Sequence, residues 1–551
     1  MPDAAGRPLP LLTIDNAFFW ASGSDGRLRL QRCGDCGQLR FPVAPICPYC
    51  HSTVTEIAEL SGRATVVGST VNHQQWSPAL VPPYSIAVVA LEDDPRIRLT
   101  TNITGCPPDE VRLGLRVAVH FEQLEDGVWL PLFSPTGDAD GDWHVPEPEE
   151  APARGGRGTG ERFEAKAAIT GIGMSQVGRR LMRPPLALTV EAALAAVEDA
   201  GLGLEDIDGL STYPGGPGMG GHSEGGTTPL IEALRLQPTW INGGGETPGQ
   251  IGALIAAMMA VGSGLCRHVL VFRTVWEATH AAMLRSGAFA PEPGRASGFM
   301  EGRLPYGAFS AANWIAIAAS QHFARFGTTR EQLGAIALNA RRNAALNPAA
   351  VYKDPLTMEE YLSARMVSTP FGLYDCDVPC DGAVAVVVSA RDAARDLRRP
   401  AVLVDAVGTQ IADRVSWDQG TLTHEPQVVG PARHLWNRTE LTKADVDVAL
   451  LYDGFSFNCL SWIEAFGFCG IGEGGPFVEG GRRIALDGEL PLNPNGGQLS
   501  GGRLHGYGFV HEAVVQLRGD GGERQVRGAE VALVATGGGV PGGCALFTTD
   551  R

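Results

Sequence analysis

The sequence predicts two architectures in one chain: a small all-β region at the N-terminus and a much larger α/β body behind it. Three observations carry this reading. Four cysteines cluster between positions 33 and 50 and are followed by short alternating apolar segments broken by Pro and Gly. From about residue 164 the pattern changes to apolar strands alternating with amphipathic helices, in two successive series. Between the two, the stretch from Ser134 to Arg162 is rich in Gly, Pro, Asp, Glu and Arg with almost no large apolar side chain, which predicts a solvated linker between independent domains. At ~150 residues per domain, 551 residues allow three or four units. The expected divisions are 1–60, 61–135, the linker 136–163, and two α/β halves at 164–398 and 399–551.

In chain order, residues 12–22 predict a short amphipathic helix ended by Gly23. Cys33-Gly-Asp-Cys36 follows, then ten residues, then Cys47-Pro-Tyr-Cys50. A Cys-x-x-Cys turn directs two thiolates at one ion, and a second such turn completes the tetrahedron that Zn²⁺ prefers. Cys33, Cys36, Cys47 and Cys50 are therefore expected to hold a structural zinc. Four protein ligands leave no open position, so this ion does no chemistry. Segments 62–67, 84–91, 97–102, 116–122 and 128–133 predict the strands of a small barrel.

The α/β body begins with a strand at 167–171 and a helix at 186–200 stopped by Gly201. A buried helix at 251–265 and strands at 268–272 and 383–389 complete the first series. The second starts near Ala401 and contains 446–451, 508–517 and 531–535. Such alternation predicts a mainly parallel sheet covered on both faces. Ahead of the buried helix, Thr247, Pro248 and Gln250 read as a capping box with Pro at the first helical position. The helix itself is broken by glycines and is shorter than the ~20 residues a membrane span needs.

Composition removes several function classes. With 44 basic against 61 acidic side chains the net charge is −17, which disfavours nucleic acid and anionic membranes. The three lysines, Lys166, Lys353 and Lys443, lack the desolvated setting a Schiff base requires. The start Met1-Pro2-Asp3-Ala4 has no basic stretch and apolar run, so a secretory signal is not expected and the predicted location is the cytoplasm. Eleven cysteines, an odd number in such a chain, then predict reduced thiols and one metal site rather than a disulfide framework.

The N-terminal helix, the four cysteines, Arg40-Phe41-Pro42 and the barrel strands resemble the zinc-ribbon plus OB-fold proteins that accompany thiolase-like enzymes. That resemblance implies a partner or acyl-CoA-handling role. OB folds also bind nucleic acid through basic grooves, a reading the acidic balance weakens. From about residue 165 the chain resembles the thiolase superfamily, in its lipid-transfer-protein branch of sterol carrier protein x thiolases and steroid side-chain aldolases. The matching stretches are Leu304-Pro-Tyr-Gly307, Arg341-Arg-Asn-Ala-Ala-Leu-Asn-Pro348, Asp377-Val-Pro-Cys-Asp-Gly382, Tyr452-Asp-Gly-Phe455, Asn495-Gly-Gly-Gln-Leu-Ser500 and Gly537-Gly-Gly539. The resemblance implies a five-layered αβαβα sandwich that dimerises through its first half, and an acyl-CoA hydratase as a partner.

Set against the thiolases, Glu246 stands where the nucleophilic cysteine would be, Ala535 replaces the second cysteine, and Arg503 replaces the histidine of His-Pro-x-Gly. Cys266, Cys376, Cys380, Cys459, Cys469 and Cys544 fall in neither register, so ping-pong Claisen chemistry is not expected. The glycine loop remains, and the backbone N–H groups of Gly538 and Gly539 are expected to bind a thioester oxygen. A thioester enolate forms without a covalent enzyme step when the Cα–Cβ bond of a β-hydroxyacyl-CoA breaks. The resemblance implies an acid/base role for Tyr452. A phenol of reference pKa ~10 needs a nearby cation to act as a base, and Arg503 is the expected source. The family's second tyrosine falls at Arg503, which leaves Tyr507, four residues on, as an alternative. His505, with an ordinary pKa near ~6.5, suits proton transfer. The leading expectation is retro-aldol cleavage to a ketone or aldehyde and a short acyl-CoA. A thiolase or acyltransferase with an unrecognised cysteine, and a non-catalytic lipid or acyl-CoA-binding scaffold, are the alternatives.

Overall fold

The computed structural model describes residues 6–144, 162–214, 220–288, 294–424, 428–537 and 541–550. The ribbon is a three-stranded antiparallel sheet with Arg29–Cys33 between Leu39–Arg40 and Thr55–Glu59. The helix before it is only the single turn Ala17–Trp20. Leu11, Leu12 and Ile14 stay exposed, whereas Phe19 and Trp20 join Leu28 and Leu30 in the core of the barrel. Ribbon and barrel therefore share one apolar interior.

The barrel strands Arg63–Asn72, Tyr84–Leu91 and Asp94–Thr101 form an antiparallel meander. Arg116–Glu125 pairs with Arg63–Asn72 and with Val128–Pro135, and the Ile103–Phe133 bridge closes the ring. Two of these strands are apolar on both faces for a reason. Val66, Val89 and Leu91 point inward, while Val67, Ile86, Val88 and Ala90 pack on Ala308, Ile317, Trp417 and Leu422 of the body. The strand Met366–Ser368 of the body adds to the barrel through Ser368–Asn72. Backbone bonds from His73 N to Val367 O (2.9 Å) and from Thr369 N to Val71 O (3.0 Å) extend the junction. The Arg98 guanidinium donates to Gly420 O at 2.6 Å, and Gln419 Nε2 donates to Arg98 O at 2.6 Å. The modules are one packed unit, not independent domains on a tether; most of the expected linker, residues 145–161, lies outside the described residues.

In the body, nine strands run in the order Trp240–Asn242, Gly209–Thr212, His268–Trp276, Asp381–Ala390, Ala167–Met174, Val402–Gly408, Gly543–Thr549, Val531–Thr536, Val448–Leu450. Only the first two junctions and the last are parallel. The sheet is thus mixed rather than mainly parallel. Strands buried on both faces are apolar throughout, so their sequence carries no mark of direction. The two halves meet where Ala168 and Ile169 pair with Leu403 and Val402.

Five layers follow from the side chains of Asp381–Ala390. Ala383, Ala385 and Val387 pack on Leu188, Ala192 and Ala196 of the outer helix Pro185–Ala200. Val384, Val386 and Val388 face the central helices Gly252–Gly262 and Tyr507–Arg518. Tyr507–Arg518 touches strands of both halves, and Val429–Trp436 covers the far face of the second half. The outer helix lies against its strand at Gly171, where a Cβ would stand 2.2 Å from Ala196 O. The start of Gly252–Gly262 is not capped as expected. Thr247 Oγ1 donates to Gly249 O, and it is Thr536 of the other half whose hydroxyl accepts from Ile251 N at 3.1 Å. Glu246 is exposed ahead of it. Among the described residues no helix is long and apolar enough to cross a membrane.

Candidate active site

Four segments converge at one end of the central helix Tyr507–Arg518. The His268–Trp276 strand and the helix Glu277–Arg285 bring Arg273 and Glu277. The turn before Asp381–Ala390 brings Asp377, and the exit of Val448–Leu450 brings Tyr452 and Asp453. The segment after the helical turn Gly497–Gly501 brings Arg503 and His505, the latter in the left-handed region at φ +49°.

Arg503 links the group. Its guanidinium donates to Glu277 Oε2 and, at 3.1 Å, to Asp377 Oδ1. Glu277 Oε1 lies 2.8 Å from His222 Nε2 and 3.3 Å from His505 Nε2. The two imidazoles stack at 5.0 Å with 25° between their planes. Behind them Arg273 Nη2 reaches His505 Nδ1 at 2.5 Å, and its Nη1 donates to His222 O at 2.6 Å. Burial would lift the Glu277 carboxyl, but Arg503, then His222 and His505, outweigh it and hold it well below the usual range. Burial dominates at Asp377 and raises it to about 7 despite Arg503. Asp453 is also raised to about 7 by burial, although it accepts from Gln498 N at 2.8 Å.

Tyr452, Arg503 and His505 are thus brought together, and Tyr507 is set apart. Tyr452 is buried beside Asp377, Arg503 and Gln498. Its phenol is pushed up, by burial first and then by Asp377. The expected activation by Arg503 does not prevail, because two carboxylates already neutralise that cation. His505 is pushed down to about 3 by burial, so it stays neutral. Because its Nδ1 accepts from Arg273, its only proton sits on Nε2, toward Glu277. Tyr507, fully buried at the start of its helix, lies near Arg273 and Tyr213, and its hydroxyl has no hydrogen-bond partner among the described residues. Gly538 and Gly539 lie outside the described residues.

Buried polar atoms with no hydrogen-bond partner among the described residues gather here: Arg273 Nε, Glu277 Oε1, Asp453 Oδ2, both side-chain atoms of Gln498, Arg503 Nε and Tyr507 Oη. Buried polar groups are normally satisfied, so this grouping makes the cluster a candidate reaction centre. Gly497 is required beside it. Its φ is +59°, and a Cβ would stand 1.9 Å from Asp453 Oδ2. Gly497→Ala is therefore expected to cost about 2–4 kcal/mol, from left-handed strain plus overpacking, read as a fall in melting temperature with loss of activity.

Glu277, Asp377, His222 and Arg273 escaped the sequence reading. Asp377 opens one of the stretches that carry the resemblance, and this was the available signal; Arg273 and Glu277 fall beyond the expected strand 268–272, which runs on to Trp276. Cys376 and Cys380 lie nearby, but burial, then neighbouring carboxylates, keep both thiols far above their usual value, hence neutral.

Among the described residues, two clusters have metal-ligand chemistry. His222, Glu277 and His505 converge, but Glu277 is paired with Arg503 and the His505 nitrogen facing inward carries the proton, so this group does not suit a cation. The four cysteines do. Cys33 and Cys50 Sγ are 3.5 Å apart, Cys36 and Cys47 Sγ 3.6 Å, and all four lie within 4.8 Å. A tetrahedron of thiolates at ~2.3 Å from one ion has edges of roughly this length. Cys47→Ser is expected to remove the metal from this cluster, measured as metal content per chain.

The arrangement defines a thiolase-fold protein whose candidate site is built from carboxylates, imidazoles, arginines and a phenol. Family models match as "ChsH2, rubredoxin-like zinc ribbon domain" over residues 20–56, "ChsH2, C-terminal OB-fold domain" over 58–122 and "Thiolase C-terminal domain-like" over 414–543. A 17-hydroxy-3-oxo-4-pregnene-20-carboxyl-CoA lyase of Mycobacterium tuberculosis is 34% identical, covering 69% of this chain and 98% of that protein. A steroid side-chain-cleaving aldolase of Thermomonospora curvata is 32% identical over 70% of this chain and 98% of its own length. A solved Ltp2-ChsH2(DUF35) aldolase superposes with a TM-score of 0.63 at 30% identity, covering 70% of this chain and 98% of that one. The chain belongs to the thiolase-fold family of steroid side-chain-cleaving aldolases.

Proposed function

We propose that the chain breaks the Cα–Cβ bond of a β-hydroxyacyl-CoA whose hydroxyl sits on a steroid or similarly bulky ring, releasing a ketone and a short acyl-CoA. The observation that carries this is the grouping of Tyr452, Asp377 and Arg503 in a thiolase fold with no sulfur in either catalytic register. Burial keeps Tyr452 a neutral phenol, so its proposed role is a relay. Its oxygen takes the hydroxyl proton as its own proton passes to Asp377, whose carboxyl, raised to about 7, is matched to neutral pH. The carbonyl forms, the Cα–Cβ pair flows into the thioester, and the enolate oxygen is proposed to rest on the N–H groups of Gly538 and Gly539. Arg503 holds Asp377 in place.

Incubation with such a thioester is expected to give ketone and acyl-CoA in equal amounts; absence of both overturns the reading. A radiolabelled acyl-CoA is expected to leave no label on the protein, and Cys380→Ala to cleave as wild type does. Label on a cysteine would favour an acyltransferase instead. The same reading places zinc on the four cysteines, a homodimer through the first half, an acyl-CoA hydratase as the source of the β-hydroxy substrate, and a cytoplasmic location. Light scattering showing a monomer would refute the dimer.

A further inference from the structure

A retro-aldol reaction moves two protons: one leaves the hydroxyl and another must reach the enolate carbon. Tyr452 and Asp377 serve only the first. We propose that His222, paired with Glu277, is the acid that delivers the second. This rests on the retro-aldol reading and adds a residue that the family motifs do not contain.

His222 Nδ1 lies 3.1 Å from Gly220 O, and a carbonyl oxygen can only accept, so Nδ1 carries a proton. His222 Nε2 lies 2.8 Å from Glu277 Oε1. A bare ring nitrogen and a carboxylate oxygen at that distance would repel, so the pair holds a second proton. Among the described residues no N–H is well aligned on Oε1, so this proton is not locked into a linear bond. His505 is the poorer donor, because Arg273 donates to its Nδ1 and leaves that ring a single proton, whereas both nitrogens of His222 face oxygen atoms. His222 is also the least buried of the three, at 13% side-chain exposure against 9% for His505 and 6% for Glu277. Its ring is fixed by stacking on His505, and its backbone by Arg273 Nη1 and by Trp276 Nε1, which donates to Ser223 O at 2.8 Å.

The placement suits the chemistry. Arg503 touches Glu277 with one nitrogen and Asp377 with another, so the hydroxyl side and the carbon side are held one guanidinium apart. In the step, the enolate carbon takes the Nε2 proton, the new Cα–H bond uses the enolate electron pair, and His222 is left neutral beside the Glu277 carboxylate. One proton is taken up by Asp377 and one is given by His222, so cleavage is proton-neutral overall.

Protonation of the carbon is reversible, so the enzyme should exchange the α-hydrogens of a short acyl-CoA with solvent. Propionyl-CoA in D2O, followed by NMR, is the probe. Wild type is expected to incorporate deuterium. His222→Ala is expected to lose at least tenfold, with added imidazole restoring part of the rate. His222→Gln, which preserves bulk, should lose as much while retaining the wild-type melting temperature. A loss below tenfold in His222→Gln, or a wild type that cleaves its thioester but exchanges nothing, overturns the proposal and leaves the retro-aldol reading intact. A wild type that neither cleaves nor exchanges overturns both.

Discussion

Tyr452→Phe is expected to lower the rate of carbon–carbon cleavage by about 10²–10⁴-fold, the span typical of losing one positioned proton-transfer group. The substitution removes one oxygen and keeps the ring. The ring is almost wholly buried, and Gly454 lies so close that a Cβ there would stand 2.6 Å from Tyr452 Cε1. Packing therefore survives, and the stability change should stay within about 1 kcal/mol. If the phenol acts only in proton transfer, the loss belongs in kcat with KM nearly unchanged. Steady-state kinetics on the same thioester, with a melting curve as control, separates the cases. A phenylalanine variant that cleaves at the wild-type rate makes Tyr452 a core residue and leaves the hydroxyl proton without an acceptor. The pH dependence follows Asp377. Its conjugate base is the competent form, so the rate should rise with pH through about 7 and fall away below it.

How much of this site could be read from residues alone depends on distance along the chain. Local signals were legible. Two Cys-x-x-Cys turns define their cluster by spacing, and the barrel segment 84–91 is the observed strand Tyr84–Leu91 because its ends carry turn residues. Tyr452, Arg503 and His505 stood out as departures from a known motif. The groups that decide their behaviour did not. Glu277 is 226 residues from Arg503 and 55 from His222, and no periodicity links a carboxylate at the end of a buried strand to a guanidinium in the other half. Without Glu277 and Asp377, Arg503 looked like a free cation able to activate a phenol; with them it is neutralised and becomes a clamp. The sheet tells the same story on a larger scale. Strand directions are set by crossovers and by which helix covers which face, and the uniformly apolar runs from His268 and Asp381 record burial but not orientation.

Arg503→Met tests the clamp through stability as well as rate. Glu277 and Asp377 are each only 6% exposed at the side chain, so removing their shared cation strands two carboxylates in a dry site. Breaking a buried pair in this way typically costs about 3–5 kcal/mol. The pH dependence identifies the mechanism. In the wild type, the Glu277 carboxyl is depressed on folding, so its contribution is present above its unfolded value and is lost as pH falls through the folded one. Asp377 is raised to about 7, so it has the opposite sign and costs stability as pH climbs from the ordinary carboxylate range, ~3.9, to about 7. Once Arg503 is gone, burial governs both groups and both behave as Asp377 does. The deficit of the variant should therefore be smaller at pH 5 than at pH 8: the wild type keeps the Glu277 contribution at both, but the variant's carboxyls can escape the penalty by taking protons only at the lower pH. Urea titrations at the two pH values measure it, and a deficit equal at both would mean that the methionine merely packs badly. Activity should fall at every pH, because Asp377 on the hydroxyl side and Glu277 on the carbon side then lose their common anchor. Arg503→Lys restores the charge but not the two-pronged contact, and so should recover much of the stability and little of the rate.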